Sequence, residues 1–183
     1  MLDLPILKTP DGVAIVRFHG KHLRQIEMRE PELSWSRWDP EFLDNIERMV
    51  DPNASWTAVH RGKILLCFGI RTMTRHVGEA WLLPGKDINR HSISVIRCAR
   101  KIFDDLLENK GFCRIQVGVM VDNDIALRFA KSMGFEVEGI MRNFGSPGAS
   151  CALMSRISDH GILKAAEAAA SGDSRGNSSP GAR

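Results

Sequence analysis

The sequence contains no tyrosine, so no phenol is available as a proton donor anywhere in the chain. Aromatic residues make up only 7% of it, and 25 basic against 22 acidic residues leave a formal net charge of +3. So mild a field, without a basic stripe interleaved with aromatics, argues against nucleic acid as a partner. The four cysteines, Cys67, Cys98, Cys113 and Cys151, form no CxxC pair and have no histidine at ligand spacing, which excludes a zinc knuckle and reads as reduced core thiols. His19 and His22 share helical spacing but lack a third ligand in register, and no metal is expected. No run approaches the roughly 18 apolar residues of a membrane helix, and the first residues lack the basic flank and apolar stretch of an export signal. A soluble, cytoplasmic protein is expected.

What is there suits one domain: 183 residues, 43% of them hydrophobic, can build a single core but not two domains and a linker. Val13–Phe18 reads as a strand, and His19 to about Met28 as a helix that Pro31 prevents from continuing. Ser34–Trp38 brings two tryptophans that could line a cleft, before Asp39-Pro40 starts a helix over Glu41–Val50. Ser55–His60 and Lys63–Thr72 are β-rich runs joined by Arg61-Gly62, a pair suited to a tight hairpin with positive φ at the glycine. Glu79–Leu83 is a further strand stopped by Pro84-Gly85, after which Ser92 or Ser94 can cap a long helix reaching Asn109. Phe112–Met120 reads as a buried strand, Asp122-Asn123 opens a helix to Met133, and Phe135–Ile140 and Cys151–Ile157 form a closing hairpin around a Gly/Pro/Ser-rich turn. Residues 1–12 are therefore an N-terminal extension, 13–157 the domain, and 158–183 a low-complexity tail expected to be largely disordered, with a short helix allowed over Ile162–Ala170.

The order of strand, two helices, three antiparallel strands, long helix, strand, helix and two strands predicts an α/β (α+β) fold, a mixed and mostly antiparallel central sheet with helices on both faces. Within it, Asn123-Asp124-Ile125-Ala126, followed by Met133-Gly134-Phe135, resembles the N-x-x-A-…-G-F segment of the GNAT (N-acetyltransferase) superfamily. Each anchor has a physical reason: the asparagine can bond backbone or ligand, Ala126 permits close helix packing, and Gly134 supplies a left-handed helix end.

The resemblance implies acetyl-CoA as co-substrate, with its diphosphate on the N-terminus of the long helix, where free N–H groups and the helix dipole favour anions. The family loop reads Q/R-x-x-G-x-G/A. Here Asn89-Arg90-His91-Ser92-Ile93-Ser94 is the nearest match, with both glycines replaced by serine. Serine hydroxyls can donate to phosphate but resist positive φ, and Lys86, Arg90 and His91 could compensate; Ser92 or Ser94 is equally readable as a plain helix cap. The strand residues Trp81, Leu82 and Leu83, together with Asn123, are the further implied donor-binding positions. The family acid, a tyrosine, corresponds here to Ala130, so its role is vacant and falls to water or to Ser132. Glu79 is the candidate base and His76 a second one.

Two functions follow: an N-acyltransferase with an unknown amine acceptor, or a GNAT-like structural module whose chemistry has decayed. Residues 55–157 are also similar to the GNAT-like proteins of short-tailed bacteriophages, which implies a virion partner and a host-cytoplasm or virion location for the second reading. An exposed sheet edge in such folds offers a surface for a homodimer.

Overall fold

The computed structural model of the chain describes residues 7–144 and 148–159, together with 163 and 166; of residues 31, 34, 35 and 38 it describes the backbone alone. The described residues form an eight-stranded sheet. Its strands are β1 (Leu7–Lys8), β2 (Ala14–Arg17), β3 (Ser55–His60), β4 (Lys63–Thr74), β5 (Val77–Pro84), β6 (Arg114–Met120), β7 (Glu136–Arg142) and β8 (Ser150–Ile157). They lie in the order β1-β2-β3-β4-β5-β6-β8-β7, and every pairing is antiparallel except β5 with β6. That one parallel contact exists because α4 (Ser92–Asn109) carries the chain back across the sheet between the two strands.

Alternation along the strands sorts the core into two layers. Leu66, Phe68 and Ile70 of β4 and Ala80 of β5 face the apolar stripe of α4 (Val95, Ala99, Phe103) and the buried Ala130 of α5 (Asp124–Ser132). Cys67 and Leu83 face the opposite way, onto Leu23 of α1 (Lys21–Gln25) and onto Phe42 and Ile46 of α3 (Phe42–Met49). Helices therefore cover both faces of the sheet. Phe68, Phe103 and Phe135 stack edge to face at 6.1 and 5.8 Å and tie β4, α4 and the start of β7 together.

Local signals locate most elements. Arg61 and Gly62 both take positive φ, 47° and 78°, the conformation a two-residue hairpin requires. Gly134 ends α5 at φ 87°. Four expectations are corrected. The helix expected over His19–Met28 is only Lys21–Gln25, because Met28 leaves the helix to bridge Gly85. Pro31 does not stop a helix but stands in the first turn of α2 (Glu30–Trp38), where its missing N–H costs nothing, so the segment carrying both tryptophans is helical. The side chains of Trp35 and Trp38, and with them the cleft wall expected there, lie outside the described residues. Neither serine caps α4: the chain makes a 3₁₀ turn over Ile88–His91 and His91 occupies the cap position without a side-chain bond. Leu7–Lys8, read as part of an extension, adds an edge strand to β2. The expectations for the tail and for the tip of the β7–β8 turn fall outside the described residues, save that Leu163 and Ala166 are helical.

Candidate functional site

β5 and β6 pair only from Val77 to Glu79 against Arg114 to Gln116. Beyond Glu79 they separate: β5 stays laddered to β4 as far as Pro84 and β6 to β8 as far as Met120, so the edges that face each other have no strand partner. The gap is a cleft of about 460 Å³. Gly118 on its β6 wall makes room for two neighbouring side chains, since a Cβ there would come within 3.3 Å of Met141 Cε and 3.5 Å of the Phe144 ring. Strand alternation gives the cleft two sides. Toward α4 and α5 it is walled by Ala80, Leu82, Val117 and Val119 with Ala126, Phe129 and Ala130; toward α1–α3, by Glu79, Trp81 and Leu83 with Phe42, Ile46 and Met49.

The seam gathers seven of the residues singled out in the sequence: Glu79, Trp81, Leu82, Leu83, Asn89, Ser92 and Asn123. Glu79, the last paired residue before the strands part, forms an ion pair with Arg71 of β4. Arg71 also reaches Met49 Sδ at 3.5 Å. The Trp81 ring meets Phe18 edge-on at 5.3 Å, and its buried indole N–H has no hydrogen-bond partner among the described residues. Asn123 caps α5, its Oδ1 accepting from the Ala126 N–H at 3.0 Å. Ser92 donates weakly to the Asn89 carbonyl at 3.4 Å.

Five other candidates do not line the cleft. Ser94 sits on a different side of α4 from Ser92, as two helical steps require, and donates to Asp11 Oδ2 at 2.7 Å. Hydrogen bonds from Thr9 and then Ser94 hold the Asp11 carboxyl down to about 2, and His91 lies 3.7 Å from the same oxygen while stacking on His60. Arg90 projects into solvent and approaches Asp87 at 3.7 Å. Ser132 is exposed and turns back to donate to the Arg128 carbonyl at 2.8 Å. His76 belongs to the β4–β5 hairpin, where its Nδ1 hydrogen-bonds the Gly111 carbonyl at 2.8 Å, across the sheet from the cleft mouth. His76 precedes β5 on the paired side of Glu79, whereas the cleft opens on the other side, beyond Glu79, and His76 is not among its lining residues.

Several lining residues had not been singled out. Arg29 and Glu32 form a largely buried bidentate pair, 3.1 and 2.5 Å, on the α1–α3 side. Phe42, Ile46 and Met49 stand at i, i+4 and i+7, an apolar helix stripe that the sequence did display. Cys151 of β8 lines the floor, its thiol raised by burial and bonded to the Phe144 carbonyl at 3.4 Å. Nothing local marks Cys151, because its place depends on the β6–β8 register. Around the α4 start the cations are paired with carboxylates: Lys86 with Glu27, and Lys63 with Asp87 at 3.0 Å, the carboxylate that Arg90 also approaches.

No protein-family model matches the sequence and no curated protein matches it. Among solved structures the fold is that of acetyltransferases. Ard1 from Thermoplasma volcanium superposes with a TM-score of 0.64 at 20% identity, over 79% of this chain and 97% of that one. A GNAT-family acetyltransferase from Bacillus anthracis gives 0.62 at 11% identity, over 84% and 98%. The ribosomal-protein-S5-alanine acetyltransferase of Vibrio fischeri gives 0.55 at 16% identity, over 86% and 98%. At these identities the likeness is one of fold.

Proposed function

We propose that the chain is an N-acyltransferase that moves an acyl group, acetyl in the simplest case, from acyl-CoA to an amine. The observation that carries this reading is the seam itself: two unpaired strand edges flank an apolar cleft with a carboxylate, Glu79, at its closed end and a helix start at its rim. A pantetheine arm has two amide groups, and a strand edge whose backbone groups lack partners binds such a chain as it would an added strand. Asn89 and Ser92, at the start of α4, are the groups that face the diphosphate.

The acceptor enters from the α1–α3 side. Its amine nitrogen attacks the thioester carbonyl; the C–N bond forms, Glu79 accepts the nitrogen's proton, and the C–S bond breaks to release the CoA thiolate. A thiolate is a weak base, with a conjugate-acid pKa of about 8.5, so water protonates it without a phenol at the Ala130 position.

Titration of acetyl-CoA into the protein tests this. Binding is expected, with Ser92→Glu weakening it more than tenfold and Ser94→Ala, whose hydroxyl is engaged by Asp11 away from the cleft, retaining it. Glu79→Gln is expected to lower kcat about 10²- to 10³-fold with acetyl-CoA binding kept. Absence of acetyl-CoA binding by the unmodified chain overturns the reading. It would favour the second one, a non-catalytic GNAT-like interaction protein of the kind that the phage resemblance implies. The observation in its favour is the internal pairing of Lys63, Lys86 and Arg90, which weakens the field available to a diphosphate.

A further inference from the structure

The cleft does not end as a surface groove. Leu66, Ala80, Val117, Val119, Ala130 and Met133 line it and are also members of the main core, each at most 8% exposed. The cleft therefore runs inward, on the α4/α5 side, to a wall made of the core itself. None of these six side chains carries a charge or a hydrogen-bonding group. The polar lining is elsewhere, with Glu79, Arg29 and Glu32 on the α1–α3 side and Asn89, Ser92 and Asn123 at the helix starts.

Ala130 is the residue that leaves the room. It is 3% exposed on α5 and offers the cleft a single methyl on the wall that it shares with Phe129 and Met133, in a lining that also includes Ala80 and Val117. A larger apolar residue would fill the space in the usual way of a core. Apolar space of this kind gains nothing from water, which needs two or more polar partners, and accepts apolar ligands instead. The amides of a pantetheine arm find partners along the strand edges of the seam, whereas against the side chains of Ala130, Met133 and Leu66 an alkyl group is the better occupant.

We infer that the apolar inner chamber of the cleft, lined by Ala130, Met133 and Leu66, receives the alkyl tail of an acyl group longer than acetyl, so that the donor is a short- to medium-chain acyl-CoA in the butyryl to octanoyl range. The inference rests on the acyltransferase reading and narrows its substrate. Ala130 sets the chain length: each methylene that enters the chamber leaves water, and affinity rises until the tail meets Met133 and Leu66.

The experiment is a calorimetric series with free CoA, acetyl-, butyryl-, hexanoyl- and octanoyl-CoA. For the unmodified protein, dissociation constants are expected to fall about fourfold per methylene buried, or about 250-fold over the four methylenes from acetyl- to hexanoyl-CoA. In Ala130→Phe, checked for folding by near-ultraviolet circular dichroism, the hexanoyl-to-acetyl affinity ratio is expected to collapse toward one. Ala126→Leu, on a half-buried turn of the same wall, is expected to shorten the longest chain accepted, and serves if the phenylalanine overpacks the core. Equal affinity for all chain lengths, with CoA bound, overturns the chamber and leaves the acyltransferase standing. Failure of every CoA species to bind overturns both. A folded Ala130→Phe that keeps the full gradient also overturns the chamber.

Discussion

Glu138 shows how much one side chain can organise. It is the extra residue at the bulge where β7 shifts register on β8, and its carboxylate accepts two bonds from Arg114 of β6, at 2.8 and 2.5 Å, and one from Ser155 of β8 at 2.7 Å. Three strands meet at that carboxylate. The Arg114 bonds first, then Ser155, hold it from the ordinary 4.5 down to about 2. A carboxyl depressed on folding stabilises the native state fully above its unfolded value and loses that contribution as pH falls through the folded one. Stability from Glu138 is therefore expected to be intact above about pH 4.5 and to fade between there and pH 2. Thermal midpoints measured across pH 2–7 check this: Glu138→Gln should lower the midpoint at pH 7 and flatten the acid limb, whereas an unchanged acid limb would mean that the contacts do not hold the carboxylate. Nothing in the residues around Glu138 announces this cluster, because Arg114 lies 24 positions away and is brought near only by the β6–β8–β7 order. Asn123 and Gly134, by contrast, act on backbone within a few residues and were legible as cap and stop.

At the scale of elements the same division holds. The β3–β4 hairpin, α4, α5 and the closing strands were legible because turn pairs, caps and apolar stripes act over one element. α2 was misread because proline signals both the end of one helix and the first turn of the next, and the contact that ends α1, Met28 on Gly85, is long-range. The 3₁₀ turn at Ile88–His91 escaped notice for a related reason: once His91 holds the cap position, the two serines are left for other work, Ser92 at the cleft and Ser94 on Asp11. For α5, where the local signal was sound, a stability test is direct. Asn123→Ala removes the acceptor for the Ala126 N–H and is expected to cost about 1 kcal/mol. For a domain of this size that lowers the melting midpoint by roughly 2–4 °C. Asn123→Asp, which keeps an acceptor oxygen, should recover most of the loss; a midpoint equal to the unmodified protein's in the alanine variant would show that the cap is not limiting.

Taken as a whole, the molecule is two half-sheets joined at a short parallel ladder. β1–β5 form one half and β6–β8 the other, and between them the sheet has only the Val77–Glu79 contact. Elsewhere α4 bridges the halves, pinned by the ion pair of Asp104 with Arg156 of β8, whose Nη1 has no partner among the described residues. This construction leaves strand edges exposed to a cleft in the middle of a sheet, where an ordinary antiparallel fold would pair them, and an unpaired edge is a binding template. A ligand that lies in the seam adds the missing contacts to both halves at once. Hydrogen exchange should register it: without ligand, amides within Ala80–Leu83 and Val117–Met120 that point into the gap should exchange far faster than neighbours laddered to β4 and β8. With acyl-CoA at 100 times its dissociation constant, global stability should rise by about 2.7 kcal/mol. Because the ligand spans the seam, the slowing should appear in both segments together. Protection confined to one segment would place the ligand on a single edge and remove the seam from the mechanism.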